Sequence, residues 1–267
     1  MDPDIEAHYG LGFERARLRA ENAHRLEFVR TWELLERHLP PPPARVLDVG
    51  GGPGTYALPL REAGYDVVLV DPVPLHIEQA GLGVVGDARE LPFEDAGADA
   101  VLLLGPLYHL IEAAERLAAL REARRVLTPG GVLAAATISR LASTFDGFAH
   151  GYLADPRFAA MVEADIRDGV HRNPEPEAHP EWFTTAYLHR PAEVRAEMEA
   201  ADFSVEALLA IEGPASYRHE VDEWMADERR EPALEAIRRV ESDPAVLAVS
   251  SHLLTIARPR SPSPSTS

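Results

Sequence analysis

The stretch that most restricts what this chain can fold into is Arg45–Leu60, RVLDVGGGPGTYALPL. Strand-like residues run into Gly50, Gly51 and Gly52, then Pro53 and Gly54, and a helical pattern begins at Tyr56. Inside regular structure glycine costs roughly 0.5–1 kcal/mol relative to alanine. A tight strand-to-helix connection needs one glycine. A run of them is useful where the main chain must come close to something that a side chain would block. In open α/β sheets, ligands bind outside the carboxyl ends of the strands, and the helix start that follows offers N–H groups. The turn therefore predicts an α/β sheet and a ligand site at its carboxyl edge.

The flanking sequence repeats the rhythm. Asp66–Val70, Leu82–Val85, Asp99–Leu104 and Val132–Ile138 read as further strands, and Tyr56–Ala63, Leu75–Ala80 and Ile111–Leu127 as the helices between them. Strands this apolar, alternating with helices, indicate a parallel sheet covered on both faces. Upstream, Asp4–Leu39 reads as helical, with Leu11, Leu18, Leu26, Val29, Leu34 and Leu35 at helical spacings, and Pro40–Pro43 end it. The arginines of RLRAENAHRLEFVR alternate with acids and read as a solvated helix face. After Ile138 the rhythm breaks into glycines, prolines and aromatics, with a helical patch around Arg157–Asp168. It resumes with a helix at Ala192–Ala201, a strand at Phe203–Ala210, a helix near Pro232–Val240 and a strand at His252–Ala257. The expected architecture is a doubly wound, mostly parallel seven-stranded α/β sheet with helices on both faces. Its segments are 1–39 (N-terminal helices), 45–138 (ligand-binding core), 139–190 (a helical cap insertion), 191–258 (the rest of the core) and 259–267, a Pro- and Ser-rich tail expected to be disordered.

Composition removes several classes of function. A net charge of −18 over 267 residues repels phosphate backbones, so nucleic acid is not an expected partner. No apolar run approaches the roughly 18 residues that span a bilayer, and the acidic start MDPDIEAHYG is no signal peptide, so a cytoplasmic protein without a membrane partner is expected. The absence of cysteine excludes disulfides, thiolate metal sites and a cysteine nucleophile. No lysine is present either, which excludes a Schiff base.

The glycine turn alone leaves its ligand open. The dinucleotide pattern G-x-G-x-x-G/A fails when counted from Gly50, because Thr55 takes the last position, and passes from Gly52 through Ala57. Asp71, at the end of the second strand, suits a dinucleotide or another adenosine equally. Further features narrow it. Asp48, Gly50, Gly52 and Gly54 form Asp-x-Gly-x-Gly-x-Gly, Asp87 follows the third strand in GDARELPF, and LLLGPLYHL follows the fourth. With LREARRVLTPGGVLAAA and SHLLTIARP, this ordered set resembles the class I S-adenosylmethionine-dependent methyltransferases, in detail over Arg45–Ile138 and in outline over the chain.

The resemblance implies an antiparallel last strand and S-adenosyl-L-methionine as cofactor. It implies that Asp48, Gly50, Gly52 and Gly54 lie by the methionine part, and that Asp71, followed by Pro72, accepts from both ribose hydroxyls. It places Asp87 and the Ala88 N–H at the adenine, the Leu104 and Gly105 carbonyls near the cofactor's amino group, and Tyr9 from the N-terminal segment as a closing residue.

Methyl transfer from a sulfonium needs alignment first and a base only if the nucleophile must lose a proton. His109, after the fourth strand in GPLYHL, is the expected base, with Tyr108 beside it facing the acceptor. The insertion is rich in aromatics, and Phe148, Tyr152 and Trp182 are the expected acceptor contacts of a cap. Its histidines, His150, His171, His179 and His189, match no metal spacing, so no metal is expected. The function expected is methyl transfer to a small molecule or short peptide. The competing readings are a non-catalytic nucleotide-binding or scaffold protein on the same fold and an NAD-dependent oxidoreductase. The acceptor, the attacked atom and the oligomeric state are not encoded in any of these motifs.

Overall fold

A computed structural model describes residues 25–218 and 220–260. Tyr9, most of the expected N-terminal helical segment and the tail from 261 onward lie outside the described residues.

The centre of the sheet is β1 (Arg45–Val49), which pairs in parallel with β2 (Asp66–Asp71) on one edge and β4 (Ala98–Leu103) on the other. β3 (Val84–Val85) extends the β2 side, and β5 (Leu127–Ser139) the β4 side. Side chains alternate across a strand, so a run without polar breaks feeds two cores at once. Leu47, Val101 and Leu133 join one core, and Val46, Leu102 and Ala134 the other. On the first face pack α5 (Ala113–Val126) and α8 (Pro191–Ala200), through Leu120, Ala123, Val194 and Met198. On the second packs α1 (Arg25–His38), through Leu34 and Leu35.

Between these, α2 (Ala57–Glu62) follows the glycine turn, α3 (Pro74–Ala80) follows β2, and α4 (Pro106–His109) is a single short turn after β4. The chain leaves β1 towards β2 and β3 and then returns to the other edge as β4, so the strand order reverses beside β1. That reversal opens a crevice at the carboxyl ends. β9 (His252–Pro259) lies antiparallel along β5, and β8 (Phe203–Ala210) antiparallel along β9.

The sheet has nine strands, two more than expected. The extra pair is β6 (Val170–His171) and β7 (Ala186–His189), joined antiparallel within the segment read as helical. β7 pairs in parallel with Ile138 and Ser139, past the last β4 pair, Leu103↔Ala135. Because β9 holds the other edge of β5 through Ile138, β7 continues on the β4 side and roofs the carboxyl end of the sheet. Strands this short carry too little period-2 pattern to be read from sequence. The strand expected at Val132–Ile138 is longer: β5 begins at Leu127 and includes Thr128–Gly131, with an irregularity between the pairs of Ala98 and Ala100.

The cap also contains α6 (Ala142–His150) and α7 (Pro156–Asp168). After β8 come α9 (Glu220–Trp224), α10 (Arg230–Arg238) and α11 (Pro244–Val249); of these, only α10 was expected. Pro259, assigned to the tail, belongs to β9, and the Arg260 N–H still donates to the Asp202 carbonyl at 2.8 Å. Arg30 is not on a solvated face. It is fully buried and donates to the Ile211 carbonyl, Glu33 and Glu241, which ties α1 to the end of β8 and the loop before α11.

Candidate active site

A cavity of ≈ 410 Å³ opens at the strand-order reversal, in the size range of small-ligand sites. Its floor is the turn after β1, its sides are the segments after β2 and β3, and its far wall is Leu104–Glu112 after β4.

The glycines divide the work. Gly50 has φ +68, and a Cβ there would sit 2.5 Å from the Pro106 ring, so this position needs both the conformation and the missing side chain. Gly52, at φ +57, has nothing within 4 Å of where a Cβ would point, and it lines the cavity. Its N–H donates to Asp71 Oδ2 at 2.9 Å. Gly54 does not line the cavity: it packs against Leu58 and Ala80, between α2 and α3, because its N–H closes a turn onto the Gly51 carbonyl.

Asp48 is also placed otherwise than expected. It shares a strand face with Val46 and lies fully buried below Gly51, outside the cavity lining. Neither carboxylate oxygen has a partner in hydrogen-bond geometry. Burial, and secondly the charge of Asp71, push its carboxyl up to about 7, with the Ala57 N–H acting in the opposite direction.

Asp71 lines the cavity and is held from three directions. Oδ1 accepts from the Val73 N–H at 2.9 Å and meets His76 Nδ1 at 2.9 Å, and Oδ2 accepts from Gly52. A carboxylate offers about four acceptor positions, so roughly one remains, on Oδ2. Two new bonds from ribose hydroxyls do not fit beside the present set. His76 escaped the sequence reading, although its place in the first turn of α3 puts it within reach of Asp71.

Asp87 has the same economy. Arg89 donates its backbone N–H and Nε to Oδ1, at 2.8 and 2.9 Å, and a terminal nitrogen to Oδ2 at 2.6 Å. These bonds hold the Asp87 carboxyl below its ordinary range. Arg89 is bonded to Glu115 as well. Pro72, Ala88, Leu104 and Gly105 all line the cavity.

On the far wall, Tyr108 is buried and its hydroxyl donates to the Leu104 carbonyl at 3.3 Å. His109 lines the cavity with its ring against Phe183, centroids 6.1 Å apart, and its Nδ1 lies 3.4 Å from the Thr185 carbonyl. A carbonyl only accepts, so Nδ1 carries the proton and Nε2 is the basic nitrogen.

Three expected acceptor contacts are not in this wall. Phe148 is 72% exposed on α6. Tyr152 and Trp182 pack with Phe158, Met161 and Val162 in a separate core of the cap. Trp182 is 3% exposed and stacks on His179, centroids 3.9 Å apart. The aromatic density of the insertion builds the cap's own interior, since a segment leaving the main sheet must bury its own apolar surface. What the cap gives to the cavity is Arg172, which no sequence pattern singled out. Away from the cavity, Glu27, Glu212 and His252 bring ligand atoms within 4.8 Å of one another, and Glu212 Oε1 faces His252 Nδ1 at 2.6 Å in an ion-pair geometry. Among the described residues, no helix is long and apolar enough to cross a membrane.

A family model described as a methyltransferase domain matches residues 47–135, the segment from β1 to β5 that carries most of the cavity. An uncharacterized methyltransferase of Mycobacterium tuberculosis is 40% identical over 107 residues, 38% of this chain; the match spans only 42% of that relative's length. An S-adenosylmethionine-dependent methyltransferase structure from Mesorhizobium loti superposes with a TM-score of 0.58 over 87% of this chain and 99% of its own, at 17% identity, a likeness of fold. The ubiquinone biosynthesis O-methyltransferase of Azorhizobium caulinodans is 32% identical over 216 residues, 73% of this chain and 75% of that protein. Identity at that level, sustained over about three quarters of both chains, goes beyond a shared fold: the chain belongs to the class I S-adenosylmethionine-dependent methyltransferases.

Proposed function

We propose that this chain transfers a methyl group from S-adenosylmethionine to a small-molecule or short-peptide acceptor. The observation that carries the reading is the cavity itself, where a glycine floor and two pre-oriented carboxylates meet a histidine wall. The donor set suits an adenosine: Asp71 keeps an acceptor position for one ribose hydroxyl, and Asp87 keeps one for an amino group beside the Ala88 N–H. The open space over Gly52 suits the methionine part. When bound, the cofactor supplies an electrophilic methyl group on a sulfonium.

The chain's own contribution is position. Holding nucleophile, methyl and sulfur in line is worth on the order of 7–11 kcal/mol of the barrier. His109 Nε2 takes the proton of a hydroxyl or ammonium acceptor, with Nδ1–H directed at the Thr185 carbonyl to fix the tautomer. The O-methyltransferase name of the Azorhizobium relative favours an oxygen acceptor as the first to test.

The test has two steps. Calorimetry with S-adenosylhomocysteine and with NADH should give binding of the first and none of the second. Incubation of a cell extract with methyl-labelled S-adenosylmethionine should then give a labelled small molecule heavier by one methylene. Binding of NADH in place of S-adenosylhomocysteine overturns the reading, and binding without any transfer leaves the non-catalytic alternative.

A further inference from the structure

The cavity is lined by two arginines, and their situations differ. Arg89 is committed to Asp87 and Glu115. Arg172 makes no hydrogen bond or ion pair with any described residue, although it lines the cavity and Glu112 is in the same lining. Arg172 is an exposed residue where it lines the cavity.

The fold holds Arg172 in place from below. His171, its neighbour, is buried, with Nδ1 2.9 Å from Asp165 and Nε2 2.8 Å from the Trp182 carbonyl. Asn173, on its other side, donates to the carbonyls of His179 and Phe183 at 2.7 and 3.0 Å. The backbone of Arg172 is thus pinned on both sides while its side chain is uncommitted. Both neighbours of Arg172 touch Phe183, His171 through its ring at 6.3 Å and Asn173 through the carbonyl at 3.0 Å, and Phe183 is the ring against which His109 lies. Arg172 and His109 are thus linked through Phe183, and both line the cavity.

We infer that Arg172 is a carboxylate anchor reaching from the cap into the cavity, and that the acceptor is an anion. This inference rests on the methyltransferase reading above. A guanidinium matches a carboxylate with two parallel N–H···O bonds and is the side chain suited to such pairing. The negative charge of the whole protein repels acidic ligands, so an acidic acceptor needs a dedicated cation. The amino-acid end of the cofactor carries the same chemical group, and its separation from the acceptor is left to experiment.

Calorimetry on the full chain, wild type, Arg172→Gln and Arg172→Lys, decides between them. Each protein is titrated with S-adenosylhomocysteine. With that ligand saturating, it is then titrated with benzoate, cinnamate and hexanoate, each alongside its uncharged amide. The expected result is that wild type prefers at least one carboxylate over its amide by about 10- to 100-fold, the scale of a charge-assisted bond. Arg172→Gln should erase the preference, Arg172→Lys should keep part of it, and S-adenosylhomocysteine affinity should stay within about twofold. If Arg172→Gln instead weakens S-adenosylhomocysteine about tenfold and the probe pairs bind alike, the anchor holds the cofactor's carboxylate and the anionic acceptor is overturned. If neither affinity responds to either substitution, the anchor itself is overturned. Failure of wild type to bind S-adenosylhomocysteine counts against the methyltransferase reading alone, because the carboxylate preference is then read on the protein without it.

Discussion

Asp48→Asn should gain stability relative to wild type as pH rises. The wild-type carboxyl is buried beneath Gly51 beside Asp71, and its pKa is raised from 3.8 to about 7. The folded protein therefore holds a proton that the unfolded chain has already released, and stability falls as pH rises from the unfolded value through the folded one. At about 1.4 kcal/mol per pH unit, the penalty reaches roughly 2 kcal/mol near pH 5 and about 4 kcal/mol above pH 7. An amide cannot ionise, so the variant lacks this slope. Its extra N–H donors in an apolar site add a cost of about 1–3 kcal/mol, but that cost is the same at every pH. Urea unfolding of both proteins between about pH 5 and about pH 8 isolates the pH-dependent part. The stability of the variant relative to wild type should rise by about 2–3 kcal/mol over that window. A constant difference, or a variant that loses ground as pH rises, would show that Asp48 is ionised and stabilised in the fold, and the reasoning from its burial would fail.

Asp71→Ala should weaken S-adenosylhomocysteine about 10- to 100-fold by calorimetry, the scale of a bond to a charged group, with Asp71→Asn in parallel because Gly52, Val73 and His76 also lean on this carboxylate. His109→Ala should lower kcat about 10²- to 10⁴-fold for a hydroxyl or ammonium acceptor. It should also leave S-adenosylhomocysteine affinity unchanged. Trp182→Ala should cost about 3–5 kcal/mol in thermal or urea unfolding as a cavity in the cap core. Phe148→Ala, on an exposed face, should stay within about 0.5 kcal/mol and leave the acceptor's KM as it was.

The glycine-turn side of the cavity could be read from the chain because its signals are local. A glycine that must take positive φ, an aspartate closing an apolar strand and a proline starting a helix are each dictated by backbone chemistry within a few residues. Gly50, Gly52, Asp71, Asp87, Ala88, Leu104 and Gly105 accordingly line the cavity in the order the motifs run. Even there, spacing did not distinguish a glycine facing the ligand from one packing two helices. Gly52 opens onto the cavity, while Gly54, in the same motif, meets Leu58 and Ala80. Asp48 shows the same limit, since its strand face and its depth depend on what covers β1.

The cap side was decided by tertiary structure. Aromatic residues dense in the insertion face either a ligand or one another, and composition cannot say which; Phe158 and Trp182 pair with each other at 5.3 Å. The strands β6 and β7 exist because the exposed edge of β5 beyond β4 must be paired, a requirement set by residues some fifty positions upstream. That pairing carries Arg172 into the cavity lining and Thr185 to His109, three residues with no sequence relation to each other. The sequence alone determined the parallel core of the sheet, the crevice at its carboxyl edge and the residue types of one wall, because short-range backbone rules write them. Only the packed fold determined which cap residue enters the crevice, because that follows from the pairing and burial of segments far apart in the chain.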